Sequence, residues 1–172
     1  MSRGYVQIYT GEGKGKTTAA FGLALRALGA GEKVWIAQFL KLGESSECVA
    51  LKRFGDQVTL RAFGVPRQIA APFTEEDYRA AEEGLSWVRQ ELRRKACFLM
   101  ICDEVCTPGL FEEEVLLELL EFRKCFAPET EMILTGRGAS SKLMEAADLV
   151  SEVRKIKHYF NEGVPFRKGI ET

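Results

Sequence analysis

The stretch YVQIYTGEGKGKTTAAFGLALRALGAG, Tyr5 to Gly31, limits the possible folds more than any other part of the chain. A β-rich run from Tyr5 to Thr10 stops at glycine. From Thr17 onward Ala20, Leu23, Ala24 and Ala27 or Leu28 recur at helical spacing, and Gly29 or Gly31 supplies the stop. The glycines between them let the backbone curl until several N–H groups point inward. Those donors and the N-terminus of the following helix cradle phosphate oxygens. Lys16 is expected to set its ammonium against the phosphates and the Thr17 hydroxyl to face a Mg²⁺ shell. Thr18 either joins them or satisfies a nearby carbonyl. The match to the usual GxxxxGK[ST] loop is imperfect: Thr10 stands where its first glycine belongs, Gly11 and Gly13 lie inside, and Lys14 is an additional cation.

KVWIAQF, Lys33 to Phe39, reads as a second strand, which completes a βαβ unit. Gly43 to Ser46 reads as an exposed turn before a short helix reaching Lys52 or Arg53, and Gln57 to Phe63 as a third strand. GVPRQIAAPF has two prolines and no period, so a long loop over one sheet edge is expected. TEEDYRAAEEGLSWVRQELRRK is the clearest helix, with Thr74 as N-cap, Asp77 in the capping-box position and an apolar face of Leu85, Val88 and Leu92. CFLMICDE, apolar until two acids, reads as a central parallel strand. A helix near Glu112 to Arg123, a strand TEMILTGRG and a short helix capped by Ser140 or Ser141 follow. A last strand LVSEVRKIK and a partly ordered tail from Asn161 complete the chain. The alternation predicts a single α/β domain over residues 1–172, with a mostly parallel sheet and helices on both faces.

Composition narrows the function by exclusion. With 24 basic and 25 acidic side chains there is no electrostatic case for nucleic acid. No apolar run approaches membrane-spanning length and the start is too short and polar for a signal peptide, so a cytoplasmic protein without membrane attachment is expected. Five cysteines, at 48, 97, 102, 106 and 125, lack the paired spacing of a zinc site and read as reduced thiols. The single histidine, His158, is expected to fix the last strand against the tail by a hydrogen bond. Trp35 reads as core on the second strand, and Trp87 as packing for its helix.

Ligand chemistry in such sheets gathers outside the carboxyl ends of the strands. Gly11 to Lys16, Gln38 to Lys41, Asp103–Glu104 and Gly136–Arg137 all fall at such ends. Asp103 is expected to reach Mg²⁺, Glu104 to orient a nucleophile or hold a loop, and Arg137 to stabilise phosphate charge. On these residues alone, attack at the γ-phosphate and attack elsewhere on ATP both stay open.

YTGEGKGKTTAAFGLALRALGAG, VWIAQFLK, ILTGRGASSKLMEAADLVSEVRKIKHYFNEGV and KGIE together resemble the CobA/BtuR/CobO-type corrinoid adenosyltransferases, over Tyr5 to Glu171. The resemblance implies a P-loop NTPase-like domain, usually a homodimer, that moves the 5'-deoxyadenosyl group of ATP onto the cobalt of a reduced Co(I) corrinoid, cobalamin or a precursor. Inorganic triphosphate leaves, and a flavoprotein is the implied reductant. The resemblance further implies that Gly11, Glu12, Gly13, Lys14, Gly15, Lys16, Thr17 and Thr18 form the triphosphate loop, and that Arg26 reaches the phosphates. Without it Arg26 reads as a solvated helix residue. Gln38, Lys41 and Arg137 would line the nucleotide rim, and Thr17, Asp103 and Glu104 would serve Mg²⁺. Lys16, Glu104 and Phe63 would carry catalysis, Phe63 as the aromatic nearest the corrinoid.

Two stretches depart from the family pattern, both on the corrinoid side. AFGVPRQIAAPF stands where relatives commonly have GFTW, leaving Phe63 with Phe73 as a substitute ring, and VCTPGLFEEEV is shorter than the loop of many relatives. Cys106 reads as a half-buried loop thiol, because a thiolate would oppose lowering cobalt's coordination number. Lys155 and Lys157 would attract the corrinoid's nucleotide tail or stay solvated. The competing expectations are a P-loop ATPase or GTPase in which Glu104 polarises water, and a nucleotide-gated corrinoid-binding protein without turnover.

Overall fold

Side chains alternate along the strands and sort the apolar residues onto two faces of one sheet. In the computed structural model, which describes residues 3–68 and 71–171, the strands are β1 (Val6–Thr10), β2 (Val34–Phe39), β3 (Val58–Phe63), β4 (Leu99–Asp103), β5 (Glu131–Thr135) and β6 (Leu149–Glu152). Their order is β3-β2-β4-β5-β1-β6, and every pairing is parallel. The helices are α1 (Lys16–Gly29), α2 (Ser46–Leu51), α3 (Glu75–Arg94), α4 (Glu113–Phe126) and α5 (Ser141–Ala146). Trp35, Ala37 and Phe39 of β2, with Met100 and Cys102 of β4, pack under Leu85, Val88 and Leu92 of α3 and Leu116 and Leu119 of α4. Val34, Ile36, Leu99 and Ile101 face the other way, against Ala20, Phe21, Ala24 and Leu28 of α1 and Cys48 and Leu51 of α2. This is a doubly wound α/β fold, as the strand–helix alternation predicts.

Local signals act where the sequence places them. Thr74 and Asp77 form the reciprocal capping box at the start of α3, with Thr74 N donating to Asp77 Oδ2 at 2.8 Å and Asp77 N to Thr74 Oγ1 at 3.3 Å. Such a cap contributes about 1 kcal/mol. Ser140, rather than Ser141, caps α5, accepting from Leu143 N at 3.2 Å. The indole of Trp35 is buried and donates to Glu91 Oε2 at 3.1 Å. All five cysteines are free thiols, and only Cys125 is exposed.

The last strand is shorter than expected. It stops at Glu152, not near Lys157, because β1, its one partner among the described residues, ends at Thr10. Val153 N donates to Thr10 O at 2.8 Å, and there the ladder runs out. His158 caps a 3₁₀ turn inside the tail, Tyr159–Glu162, with Nδ1 accepting from Phe160 N at 3.1 Å; it does not bridge to the strand. Within the expected 64–73 loop, Ile69 and Ala70 lie outside the described residues. No helix among the described residues is long and apolar enough to cross a membrane.

Candidate functional site

Residues 11–15 carry the chain from the end of β1 into α1, and two different demands fix the glycines there. Gly15, the residue before α1, has φ 119°, a left-handed value unsuited to side chains. Gly11 and Gly13 are required by close approach: an added Cβ would lie 2.6 Å and 2.7 Å from the Val153 carbonyl oxygen. Gly13 N donates to that same oxygen at 2.7 Å, so the end of β6 braces the loop. Lys16 is 6% exposed and donates to Gly11 O at 2.7 Å and Gly13 O at 2.8 Å, closing the loop around its ammonium. Burial lowers its pKa from the ordinary lysine value, against a partial opposing pull from Glu104.

Asp103, at the end of β4, is the hub of the rim. It is fully buried, yet Oδ1 accepts from Thr17 Oγ1 at 2.9 Å and Thr135 Oγ1 at 2.7 Å, and Oδ2 from Lys41 Nζ at 2.7 Å and Gln38 Nε2 at 3.1 Å. Burial alone would raise the carboxyl's pKa. The Lys41 charge and the donors from Lys41, Thr135 and Gln38 outweigh it and hold Asp103 below its ordinary value. Reciprocally, burial would lower Lys41, but the Asp103 and Glu104 charges raise it. The ion pair is therefore ionised at neutral pH.

Backbone strain gathers beside this hub. Leu40 (φ 57°) and Glu104 (φ 63°) are non-glycine residues in the left-handed region, directly after β2 and β4. The turn at Leu40 aims Lys41 back toward Asp103. Glu104 is held in its turn by its backbone N–H on Thr135 Oγ1 at 2.9 Å, while its Oε2 accepts from Thr107 Oγ1 at 3.1 Å. Thr135, which donates to one acid and accepts from the next, was not singled out from sequence; a threonine closing an apolar strand before glycine is the signal that could have found it.

The structure gathers most of the expected rim. Lys16, Thr17, Gln38, Lys41, Asp103 and Glu104 form one cluster, and Arg137 lies at its exposed margin with Nη1 3.4 Å from Glu12 Oε2. Thr18 is exposed on the first turn of α1. Arg26 is not brought to the loop: it stands exposed on the last turn of α1, about 15 Å along the axis from Lys16. Phe63 is 4% exposed beneath the rim, wedged between Phe39 at 6.1 Å and Trp87 at 5.8 Å, ring centre to ring centre. Cys106 is 2% exposed, not half-buried, and burial pushes its thiol up to about 12. Lys14 points away from the loop interior into the tail, donating to Tyr159 Oη at 3.0 Å, Ile170 O at 2.9 Å and Glu171 Oε1 at 3.1 Å.

Comparison with known proteins identifies the family. A family described as ATP:corrinoid adenosyltransferase BtuR/CobO/CobP matches residues 2–172. Corrinoid adenosyltransferase of Escherichia coli K12 is 34% identical over 98% of this chain and 86% of its own length. That of Pseudomonas aeruginosa PAO1 is 32% identical over 98% and 84%. Corrinoid adenosyltransferase CobA of Salmonella typhimurium is 32% identical over 98% and 86%. With a family match over nearly the whole chain and relatives of this extent, the chain belongs to the ATP:corrinoid adenosyltransferase family.

Proposed function

We propose that the rim holds MgATP with its triphosphate on the glycine loop and presents ribose C5' to the Co(I) of a corrinoid lying toward the β3–α3 and β4–α4 loops. The single observation that carries this reading is the Asp103 hub. A buried carboxylate saturated by four donors is built to hold a fixed charge and not to shuttle a proton. Glu104, the remaining acid, is engaged by Thr107, and the buried Cys106 thiol stays protonated. The protein's own part is then placement and charge stabilisation, and the nucleophile arrives with the substrate. That favours adenosyl transfer over γ-phosphate hydrolysis.

Each residue has a defined share. Lys16 and the loop N–H groups stabilise charge gathering on the departing triphosphate, and Arg137 adds to it at the margin. The Thr17 hydroxyl and Asp103 are hard oxygens that would hold Mg²⁺ in place of the Lys41 ammonium. The Lys41 ammonium lies 3.0 Å from Thr17 Oγ1 and 2.7 Å from Asp103 Oδ2, a cation where that donor set calls for one. Mg²⁺, when bound, supplies neutralisation of the leaving group. Glu104 is placed to orient the ribose or the metal's waters. Phe63 acts from below, as the packed support of the acceptor wall.

The homodimer, the cytoplasmic location and the flavoprotein donor belong to the same proposal. Exposed Leu149 and Val150 on the open edge of β6 offer a second copy an apolar surface, and free thiols suit a reducing compartment. The test is anaerobic incubation with MgATP and chemically reduced corrinoid, following the Co(I) absorbance and identifying the phosphate product. Triphosphate formed only with corrinoid present is expected; ADP with orthophosphate would overturn the reading.

A further inference from the structure

The tail returns to the glycine loop and ends on its second lysine. All three hydrogens of the Lys14 ammonium are taken by tail acceptors: the Tyr159 hydroxyl, the Ile170 carbonyl and the Glu171 carboxylate. Glu171 has further partners of its own. It accepts from Arg167 N at 2.7 Å, Arg167 Nη2 at 3.1 Å and the Tyr159 hydroxyl. Apolar packing does little to hold this segment, since Phe160, Phe166 and Ile170 are 61%, 60% and 57% exposed. The tail is therefore fastened to the loop chiefly by polar contacts that converge on Lys14.

We propose that the tail is an internal competitor for the triphosphate: Glu171 occupies Lys14 until MgATP takes the ammonium, and nucleotide binding thereby releases the tail from the loop. This rests on the nucleotide reading above. The direction of exchange follows from the partners. Lys14 has no hydrogen left for a phosphate oxygen while the tail holds it. Its side chain is 39% exposed, so the ammonium can be reached from solvent, although the Glu171 side chain it meets is only 6% exposed. A triphosphate offers several charged oxygens beside loop N–H donors. When Lys14 leaves, Glu171 keeps Arg167 and Tyr159, so no charge is stranded.

Hydrogen exchange of the amides of residues 159–171 in the full chain, with and without MgATP, tests this. MgATP should speed tail exchange in the wild type. Glu171→Gln should exchange fast without nucleotide and bind MgATP about fivefold more tightly, an advantage that shrinks at high salt. Tyr159→Phe should move both readouts the same way by less. A purely structural tail contact would alter exchange and leave nucleotide affinity unmoved. Unchanged or slower tail exchange on binding MgATP, or weaker binding by Glu171→Gln, would overturn the competition alone. A wild type that binds no MgATP would overturn the nucleotide reading and the competition with it.

Discussion

The two halves of the rim are built by different physics. On the half that we propose for the nucleotide, Asp103 collects four directed hydrogen bonds between 2.7 and 3.1 Å, and Lys16 closes the loop with two more. On the half that we propose for the acceptor, rings meet at Phe39–Phe111 (5.7 Å), Phe63–Trp87 (5.8 Å) and Phe73–Tyr78 (5.9 Å). The Arg67 guanidinium stacks 4.6 Å above Phe73 and faces Asp77 at 3.4 Å. Tyr78 Oη, on the first turn of α3, donates to Gly109 O at 3.3 Å, and an added Cβ at Gly109 would lie 3.7 Å from the Phe73 ring, so the β3–α3 and β4–α4 segments meet as one wall. A directed network loses its function with one atom, whereas a packed wall degrades by degrees. On the proposed reading, leaving-group chemistry falls to the first and contact with the acceptor to the second.

The harshest test of that contrast is Lys16→Ala. It removes the buried ammonium at the loop's centre, and kcat/KM for ATP should fall by about a thousandfold, with thermal denaturation showing a folded protein. A loss of only a few-fold would mean that the loop does not carry the leaving-group charge. Next in size is Asp103→Asn, which strips the hub of its charge and leaves Lys41 with only the more distant Glu104 carboxylate at 3.9 Å. Activity should fall about a hundredfold and stability by about 2 kcal/mol, less than for a fully buried pair because the Lys41 side chain is 33% exposed. The folded pKa of Asp103 lies below its ordinary 3.8. Its contribution is thus present above that value and is lost as pH falls through the lower, folded one. The Tm gap between wild type and variant should persist at pH 5 and close only in stronger acid.

Legibility in the sequence follows the same division. The nucleotide half depends on residue types at short spacing, so GKGKTT, AQFLK and CDE marked it, and the period-2 and helical patterns marked the strands and helices around it. What stayed hidden arises from contacts far apart in the chain. Thr135 reaches Asp103 across 32 positions, and the tail reaches Lys14 across more than 140. Arg26 matched a family position, but the length of α1 carries it away from the loop. Phe63 was legible as an aromatic at a strand end, though its burial depends on Gly84 of α3, where an added Cβ would lie 2.7 Å from Phe39 and 3.0 Å from Phe63. Periodicity locates α3 but not how closely it approaches the sheet.

The acceptor half should yield smaller and selective effects. Arg67→Ala frees Phe73 and removes the cation facing Asp77, while the Thr74 capping bonds still hold that carboxylate. KM for the corrinoid should rise about fivefold, in line with a partly desolvated cation–π contact, while KM for ATP stays put. Arg67→Lys should restore little, because an ammonium lacks the stacking plane. Equal changes in both constants would erase the division between the halves.

The smallest effect separates the halves by pH. Burial lowers the Lys16 pKa below the ordinary 10.5, and kcat/KM reports the free enzyme. The ammonium is the form that holds phosphate, so kcat/KM for ATP should decline on the alkaline side with a midpoint below 10.5, by about twofold at first. Lys41, raised by Asp103 and Glu104, keeps its charge through that range and leaves the hub intact. Lys16→Arg should abolish the decline, since a guanidinium does not titrate there. The corrinoid KM, set by rings and the stacked Arg67 guanidinium, should stay flat over the same interval; a corrinoid KM that climbed with the loss of the Lys16 proton would place the acceptor on the charged half and dissolve the contrast.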